Sequence, residues 1–358
     1  MMPNERRKQT RRPIRVLIVD DSPLVRRILT DILSRAPDLE VAGTAPDPYV
    51  ARDLILALKP DVLTLDIEMP RMDGLTFLKK LMRYHPLPVV IISSAAGSGC
   101  TLAMEALRLG AVDVLEKPNG PSSIGALSES LPRIVHAAGV SKLRKDGGWP
   151  APAIKLPDAV PMTPRASGGP GANQLLAFGA STGGTAAIAQ ILELMPADSP
   201  PMVVVQHIPA GFSRAFAERL NQTCKITVRE AADGEIVRPG TALIAPGNLH
   251  MLVRRRGGAL AVEVKDGPLI CYQRPSVDIL FSSVAESAGG GAMGVILTGM
   301  GSDGAKGLRK MRDAGAQTIA QDESSSVVFG MPREAIRLGA ASEVLPLGEI
   351  SRRLLAGI

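Results

Sequence analysis

The chain has 358 residues and a formal net charge of +6, with 45% hydrophobic but only 3% aromatic residues. That length accommodates two domains, and the composition predicts aliphatic cores of the kind that parallel sheets have. No apolar run reaches the roughly eighteen residues of a membrane span, and the basic segment Arg6–Arg12 lacks the apolar stretch of a secretion signal, so we expect a cytoplasmic protein.

The chain alternates strand and helix patterns from residue 14 to residue 139. Strands that alternate with helices predict a doubly wound parallel sheet of five strands, flavodoxin-like, with the order 2-1-3-4-5. The predicted strands are Val16–Val19, Val41–Ala45, Val62–Leu65, Val89–Ile92 and Val112–Leu115, and the predicted helices are Leu24–Leu33, Tyr49–Leu58, Leu75–Met82, Thr101–Leu109 and Ser123–Ala138.

Carboxylates follow two strands that are neighbours in such a sheet. Asp20 and Asp21 close the first strand and Asp66 closes the third, so three negative charges converge at one edge. Oxygen ligands with room for water suit Mg²⁺. Ser93 follows the fourth strand and Lys117 the fifth, which adds a hydroxyl and a cation. We therefore expect Asp66 to accept a phosphoryl group whose charge Mg²⁺ and Lys117 neutralise. A single aspartate there could instead be a helix N-cap.

Four segments at these strand ends resemble the two-component receiver domain. They are Val-Asp-Asp-Ser (19–22), Leu-Asp-Ile-Glu-Met-Pro-Arg-Met-Asp-Gly (65–74), Ile-Ser-Ser (92–94) and Glu-Lys-Pro (116–118). The resemblance implies that Asp66 is the phosphoacceptor, that Asp20 and Asp21 are Mg²⁺ ligands, that Ser93 is the switch hydroxyl and that Lys117 contacts the phosphate. It also implies a cis peptide bond before Pro118. Val114 stands where many receivers have an aromatic switch residue.

A linker and a second α/β pattern follow. Residues 140–173 are rich in Pro, Gly, Ala and basic residues and have no apolar period, which predicts a flexible linker. Residues 174–358 again alternate strands and helices, which predicts a three-layer α/β domain with a largely parallel sheet. We expect antiparallel strands around Thr241–Val253 and Ala259–Val264.

A serine lies at a sharp turn at the start of this second domain. An apolar strand ends in Gly-Ala-Ser-Thr-Gly (179–183), and a helical pattern follows. This matches Gly-x-Ser-x-Gly, the strand–turn–helix geometry that presents a serine hydroxyl to substrate. Serine needs a base to become a nucleophile, so Ser181 predicts a serine hydrolase with a nearby histidine.

His207 is the favoured base among four histidines, because it directly follows the apolar strand Met202–Gln206 and precedes Pro209 and a helix. His85 and His136 lie in the first domain. Two alternatives remain: His250, which lies in a strand-like segment, could be the base, or the site could have no catalytic histidine.

Asp303 is the predicted partner of that histidine, since it follows the strand Gly294–Leu297. It lies in Gly-Met-Gly-Ser-Asp-Gly (299–304), which also matches a dinucleotide-binding fingerprint, with Asp322 about twenty residues further on. A carboxylate at that helix N-terminus would repel a pyrophosphate. We therefore expect an orienting aspartate, held by the same backbone N–H groups; a plain N-cap is the simpler alternative.

The second half is similar to the chemotaxis-receptor methylesterases. The resemblance is carried by Gly-Ala-Ser-Thr-Gly-Gly-Thr (179–185), Gln-His-Ile-Pro (206–209), Ala-Pro-Gly-Asn-Leu-His (245–250) and Leu-Thr-Gly-Met-Gly-Ser-Asp-Gly-Ala (297–305). It implies Ser181 as nucleophile, His207 as general base and Asp303 as its orienter. It also implies the backbone N–H of Met300 as oxyanion donor, with Thr182 beside the serine.

The same resemblance implies the function and the partners. The reaction is hydrolysis of glutamate γ-methyl esters on methyl-accepting chemotaxis receptors, with deamidation of receptor glutamines, and it needs no cofactor besides the receiver's Mg²⁺. A histidine kinase donates the phosphoryl group. We expect a monomer that binds no nucleic acid, because the basic clusters carry no interleaved aromatic residues to stack bases.

Two other functions compete with the hydrolase. A receiver-controlled transcription factor would need a helix-turn-helix, but the second half shows strands there. A receiver-controlled nucleotide-binding regulator would use the loop Gly299–Gly304.

Overall fold

The computed structural model describes residues 12–94, 98–118, 120–141 and 175–356. The basic arm before Arg12, and the predicted linker from residue 142 onward, lie outside these ranges. None of the described helices is long and apolar enough to span a membrane.

The first domain has the predicted five-stranded sheet, with the order β2-β1-β3-β4-β5 and parallel neighbours. Its elements in chain order are β1 (Ile14–Val19), α1 (Pro23–Leu33), β2 (Leu39–Ala45), α2 (Pro48–Leu58), β3 (Val62–Asp66), α3 (Gly74–Tyr84), β4 (Val89–Ser93), α4 (Ser98–Arg108), β5 (Asp113–Glu116) and α5 (Pro121–Gly139).

Alternate residues of each strand face different helices. In β1, Val16 and Ile18 belong to the apolar cluster with α1 and α5, whereas Leu17 and Val19 belong to the cluster with α2, α3 and α4. This is the burial on both faces that a parallel sheet requires. One implied detail is wrong: the cis X-Pro bond of the described residues precedes Pro275, not Pro118.

The second domain is built on a sheet of seven parallel strands, ordered β14-β13-β12-β6-β7-β9-β8, plus a separate antiparallel pair, β10 and β11. Its elements are β6 (Leu175–Ala180), α6 (Gly184–Leu192), β7 (Met202–Gln206), α7 (Phe212–Thr223), β8 (Thr227–Glu230), β9 (Thr241–Ile244), β10 (His250–Arg256), β11 (Ala259–Lys265), α8 (Val277–Ala288), β12 (Ala292–Ile296), α9 (Ala305–Asp313), β13 (Gln317–Gln321), α10 (Met331–Arg337), β14 (Glu343–Leu345) and α11 (Leu347–Ala356).

The prediction for Thr241–Val253 was wrong in part. This stretch contains two strands, and β9 is parallel to both β7 and β8, while only β10 pairs antiparallel with β11. All of β9 is buried because it lies between two neighbours inside the main sheet. An apolar run of that length does not encode strand direction, which here depends on the long connection from β8.

Helices cover both faces of this sheet. The residues of α6, α7 and α11 share one apolar cluster, and those of α8, α9 and α10 share the other, which gives the predicted three layers. Helix α7 also packs against α4 of the first domain, where Arg219 Nη1 donates to the carbonyl of Met104 at 2.9 Å. The two domains therefore contact each other directly.

Candidate active site

Ser181 lies at the turn between β6 and α6, as the glycine pattern predicts. Gly183 has φ +77°, and a Cβ there would come within 2.6 Å of the Val327 side chain, so the turn requires glycine. The Ser181 N–H donates to the carbonyl of Thr298 at 3.0 Å. This bond ties the turn to the loop that follows β12.

His207 and Asp303 are brought together from strands that flank β6. His207 Nε2 lies 2.8 Å from Asp303 Oδ2, and both side chains are buried. The other ring nitrogen, Nδ1, is buried without a hydrogen-bond partner among the described residues. An Nε2–H that donates to Asp303 leaves the Nδ1 lone pair free to accept a proton. His207 and Ser181 line the same cavity.

The N-terminus of α8 holds Asp303, which corrects the expectation that its own helix does. Ser276 Oγ donates to Asp303 Oδ1 at 2.8 Å, and the backbone N–H groups of Val277 and Asp278 donate at 2.7 and 3.1 Å. Burial disfavours the charge, but the bonds from His207, Val277 and Ser276 outweigh it and lower the pKa of Asp303. The carboxylate that faces His207 is therefore ionised.

Gln206 and Thr298 position this site, and sequence reasoning missed both. The Gln206 side-chain amide donates to the carbonyls of Ser181 and His207, at 2.9 and 3.0 Å. Thr298 Oγ1 donates to the carbonyl of Thr182 at 3.0 Å. Both are buried polar residues at strand ends, a signal that the sequence carried, since such groups need specific partners.

The alternative base, His250, has a structural role. It is buried, its Nε2 lies 2.9 Å from the carbonyl of Pro268, and its Nδ1 accepts the N–H of Ser276 at 3.2 Å. Both ring nitrogens are thus occupied by the backbone near Asp303.

The loop Gly299–Gly304 packs against the serine. A Cβ on Gly299 would lie 2.7 Å from the Cβ of Ser181, so only glycine allows this approach. Met300 borders the cavity that Ser181 lines. Asp303, within the same loop, is committed to His207 and α8, and nothing among the described residues supports the nucleotide-binding alternative.

The first domain forms one wall of the cavity that Ser181 and His207 line, which has a volume of about 430 Å³. From α5, this wall includes Glu129 and Arg133. Thr182 Oγ1, next to Ser181, donates to Asp113 Oδ2 of β5 at 2.7 Å, and the N–H of Gly183 donates to the carbonyl of Val112 at 3.3 Å. The start of β5 therefore contacts the serine turn itself.

Asp113 is a buried carboxylate at this contact. Burial raises its pKa to about 6, although Thr182, the N–H of Val114 and the nearby His207 favour the ionised form. The contact between the domains thus contains a group that titrates close to neutral pH.

The predicted acidic cluster is present at the other end of the first sheet. Carboxylate oxygens of Asp20, Asp21 and Asp66 lie within 4.8 Å of one another. Lys117 Nζ is 2.7 Å from Asp66 Oδ2 and 3.4 Å from Asp20 Oδ2. Ser93 Oγ, fully buried, donates to the carbonyl of Gly99 at 3.3 Å.

The ionisation of these groups suits a divalent cation. Burial raises the pKa of Asp66 to about 6, and burial also raises the pKa of Asp20. Although its own burial opposes it, the ion pairs with both aspartates raise the pKa of Lys117. Apart from this ammonium, Asp20 Oδ2 and Asp66 Oδ2 are buried without a hydrogen-bond donor in the described structure. These oxygens fit Mg²⁺ as ligands.

Comparisons with known proteins match both halves of the chain. The family model for the CheB methylesterase matches residues 176–354, and the model for the response regulator receiver domain matches residues 16–128.

Whole-length relatives have the same composite name. A "protein-glutamate methylesterase/protein-glutamine glutaminase 2" from Syntrophus aciditrophicus is 52% identical over 96% of this chain and 98% of its own length. The corresponding protein of Salmonella typhimurium is also 52% identical, over 96% of this chain and 97% of its own. The crystal structure of the Thermotoga maritima CheB methylesterase catalytic domain covers 52% of this chain and 99% of that one, at 39% identity and a TM-score of 0.51.

Proposed function

The chain belongs to the CheB methylesterase family with a receiver domain, and from that premise we propose that Ser181, His207 and Asp303 are its catalytic triad. As a member of this family it is a protein-glutamate methylesterase and protein-glutamine glutaminase. The observation that carries the assignment is the buried contact of 2.8 Å between His207 Nε2 and Asp303, with Nδ1 left free. We assign residues 14–139 to the receiver, 140–173 to a linker and 174–358 to the catalytic domain.

The geometry supports acyl transfer in two steps. The Ser181 hydroxyl attacks the γ-carbonyl carbon of a glutamate methyl ester while its proton moves to His207 Nδ1. The backbone N–H of Met300 donates to the oxyanion, and such a donor contributes roughly 3–4 kcal/mol in the transition state. The same proton leaves with methanol, and water then hydrolyses the glutamyl ester of Ser181. A glutamine follows the same path with ammonia as the leaving group.

The substrates of this site are the cytoplasmic parts of methyl-accepting chemotaxis receptors, and a histidine kinase is the phosphoryl donor. Asp66 accepts the phosphoryl group, Asp20, Asp21 and Asp66 hold Mg²⁺, and Ser93 and Lys117 contact the phosphoryl oxygens. A bound Mg²⁺ would supply positive charge that stabilises the transferred phosphoryl group. The short distances from Lys117 to Asp66 and Asp20 support this assignment.

Methanol release from methyl-labelled receptor membranes tests the function. The purified protein should release labelled methanol, and unmethylated membranes provide the blank. A protein that releases none, even after treatment with acetyl phosphate and Mg²⁺, would contradict the proposal. Binding of a labelled nucleotide would then favour the regulator alternative.

Phosphorylation of Asp66 is expected to increase the esterase rate. Acetyl phosphate with Mg²⁺ should increase the esterase rate about 5- to 150-fold, which corresponds to typical coupling free energies of about 1–3 kcal/mol. The rate of Asp66→Asn should not respond. The measurement pairs methanol release with the yield of acyl phosphate on the protein. Acyl phosphate on Asp66→Asn at the wild-type yield would show that another residue is the acceptor.

The contact between Asp113 and Thr182 is expected to make receiver docking depend on pH. Docking raises the pKa of Asp113 from its ordinary value near 3.9 to about 6, so the docked state binds the proton more tightly. Docking should therefore be strongest at low pH and weaken as the pH rises from about 4 to about 6, by up to roughly a hundredfold.

Asp113→Asn tests this dependence because it cannot ionise. Its oxygen can still accept from the N–H of Val114, and its amide group can donate to Thr182 Oγ1, which reverses the direction of that bond. The variant should dock more tightly than the wild type above pH 7 and lose the pH dependence. The measurement is the rate of full-length protein divided by that of residues 174–358 at each pH, which cancels the pH dependence that both proteins share. A ratio for Asp113→Asn equal to that of the wild type at every pH would contradict the prediction.

A further inference from the structure

The loop Leu269–Gln273 ends in a tight two-residue turn at the mouth of the catalytic cavity. The N–H of Gln273 donates to the carbonyl of Ile270 at 2.8 Å, and the N–H of Ile270 donates back at 3.1 Å. Between them, Cys271 and Tyr272 both have left-handed backbone conformations, with φ +51° and +64°. Hairpin turns of this type favour asparagine and glycine, so a tyrosine here carries a steric cost.

Burial of the Tyr272 side chain does not offset the steric cost of this turn. Tyr272 is 70% exposed, and Leu269, five residues before Arg274, is 55% exposed. The loop is nevertheless held in place, because Arg274 donates to Asn248 Oδ1 at 2.7 and 3.1 Å. A large aromatic side chain is thus fixed in a strained, exposed position by a well-anchored loop. Strained residues of this kind concentrate at functional sites.

The cation–π contact of the ring across the domain boundary does not account for this steric cost. The guanidinium of Arg133, on α5 of the receiver, lies 5.5 Å from the ring centroid of Tyr272. Arg83 lies similarly, 5.2 Å from the ring of Tyr84, on an ordinary helix end. Exposed cation–π pairs contribute little stability, so this pair alone does not explain a strained tyrosine.

The size of the reacting group places the substrate chain beside this loop. Leu269 and Tyr272 line the same cavity as Ser181 and His207. The γ-ester carbonyl of a glutamate is only three bonds from its Cα, so when that carbonyl reaches Ser181 the receptor backbone must lie at the cavity mouth. The residues that flank the modified glutamate then lie against the rim.

We propose that Tyr272 and Leu269 form a substrate-binding edge that contacts apolar side chains flanking the modified glutamate of the receptor polypeptide. This inference rests on the proposed function. An aromatic ring and an aliphatic side chain fit apolar neighbours, and tyrosines of this kind dominate binding energies at protein interfaces. In the docked state, the guanidinium of Arg133 lies over part of the ring, 5.5 Å from its centroid, and so occupies part of the substrate's place.

Three full-length variants, all treated with acetyl phosphate and Mg²⁺, test this edge. Tyr272→Gly removes the ring and relieves the turn, Tyr272→Phe keeps the ring, and Tyr84→Ala is the control, since Tyr84 is 73% exposed and also lies under an arginine. Each is assayed on methylated receptor membranes and on p-nitrophenyl acetate. We expect Tyr272→Gly to lower the ratio of the two kcat/KM values at least about fivefold, mainly through a higher KM for receptor, without lowering the melting temperature.

Tyr272→Phe should restore the ratio, and Tyr84→Ala should leave it at the wild-type value. An unchanged ratio in Tyr272→Gly, or an equal loss on both substrates together with a lower melting temperature, would overturn the inference and leave Tyr272 a structural residue. A wild-type protein that hydrolyses p-nitrophenyl acetate but releases no methanol from receptors would instead overturn the proposed function, whatever the variants do.

Discussion

Ser181→Ala and His207→Ala are each expected to lower kcat for receptor demethylation by at least about a thousandfold, because either change removes the nucleophile–base pair. The double variant should lose no more than either single variant, since residues that act as a unit are not additive. The Ser181 side chain is small and His207 lines the cavity, so the melting temperature of each variant should stay close to that of the wild type. Methanol release near the wild-type rate from Ser181→Ala would contradict the triad.

Asp303→Asn is expected to lower the activity less than Ser181→Ala does. An amide in place of the carboxylate would donate to His207 Nε2 and shift the ring proton to Nδ1, the nitrogen that must accept the serine proton. The activity should therefore fall steeply, yet leave more residual rate than Ser181→Ala, because the nucleophile remains. The oxygen of asparagine can still accept from the start of α8, and circular dichroism should show a native fold.

A fragment of residues 174–358 is expected to work faster than the unphosphorylated full-length protein, without acetyl phosphate. In the described structure, residues of α5 and of the start of β5 line the cavity that contains Ser181. Asp113 accepts a hydrogen bond from the hydroxyl of Thr182. A tethered receiver has an effective concentration of order millimolar, so even a weak contact keeps the cavity covered. We expect a gain of about 5- to 150-fold, which corresponds to about 1–3 kcal/mol of docking free energy.

The controls separate occlusion from activation by contact. Phosphorylated full-length protein should approach the rate of the fragment, while Asp66→Asn should stay at the basal rate. The fragment contains the whole of the seven-stranded sheet and an apolar cluster that lies entirely within it, so it is expected to fold. A folded fragment slower than the unphosphorylated parent would show that the receiver activates by contact.

The sequence was sufficient to predict those features that depend on residues close together in the chain. Glycines at fixed spacing located the serine turn, and acidic residues at strand ends located the cluster around Asp66. It could not reveal the direction of β9, which depends on distant pairing, or that the start of α8 holds Asp303, since this joins residues far apart in the chain. Gln206 was overlooked although its place, a polar residue closing a buried strand, was visible. Asp113 could not have been chosen, because its partner Thr182 is 69 residues away in the chain and belongs to the other domain.

One strand, β5, has its first residue against the serine turn and is followed directly by Lys117, which forms an ion pair with Asp66. The distance between these ends is that of a four-residue strand, about 13 Å. Chimeras that join another receiver to this second domain would test how much control depends on this strand. A transplanted receiver without counterparts of Asp113 and Arg133 would keep its phosphorylation chemistry but lose these two contacts, and the hybrid enzyme is expected to have a higher basal rate. The contact between the two domains therefore depends on side chains of this receiver, and a graft that carries Asp113 and Arg133 is expected to retain more of the control than one that lacks them.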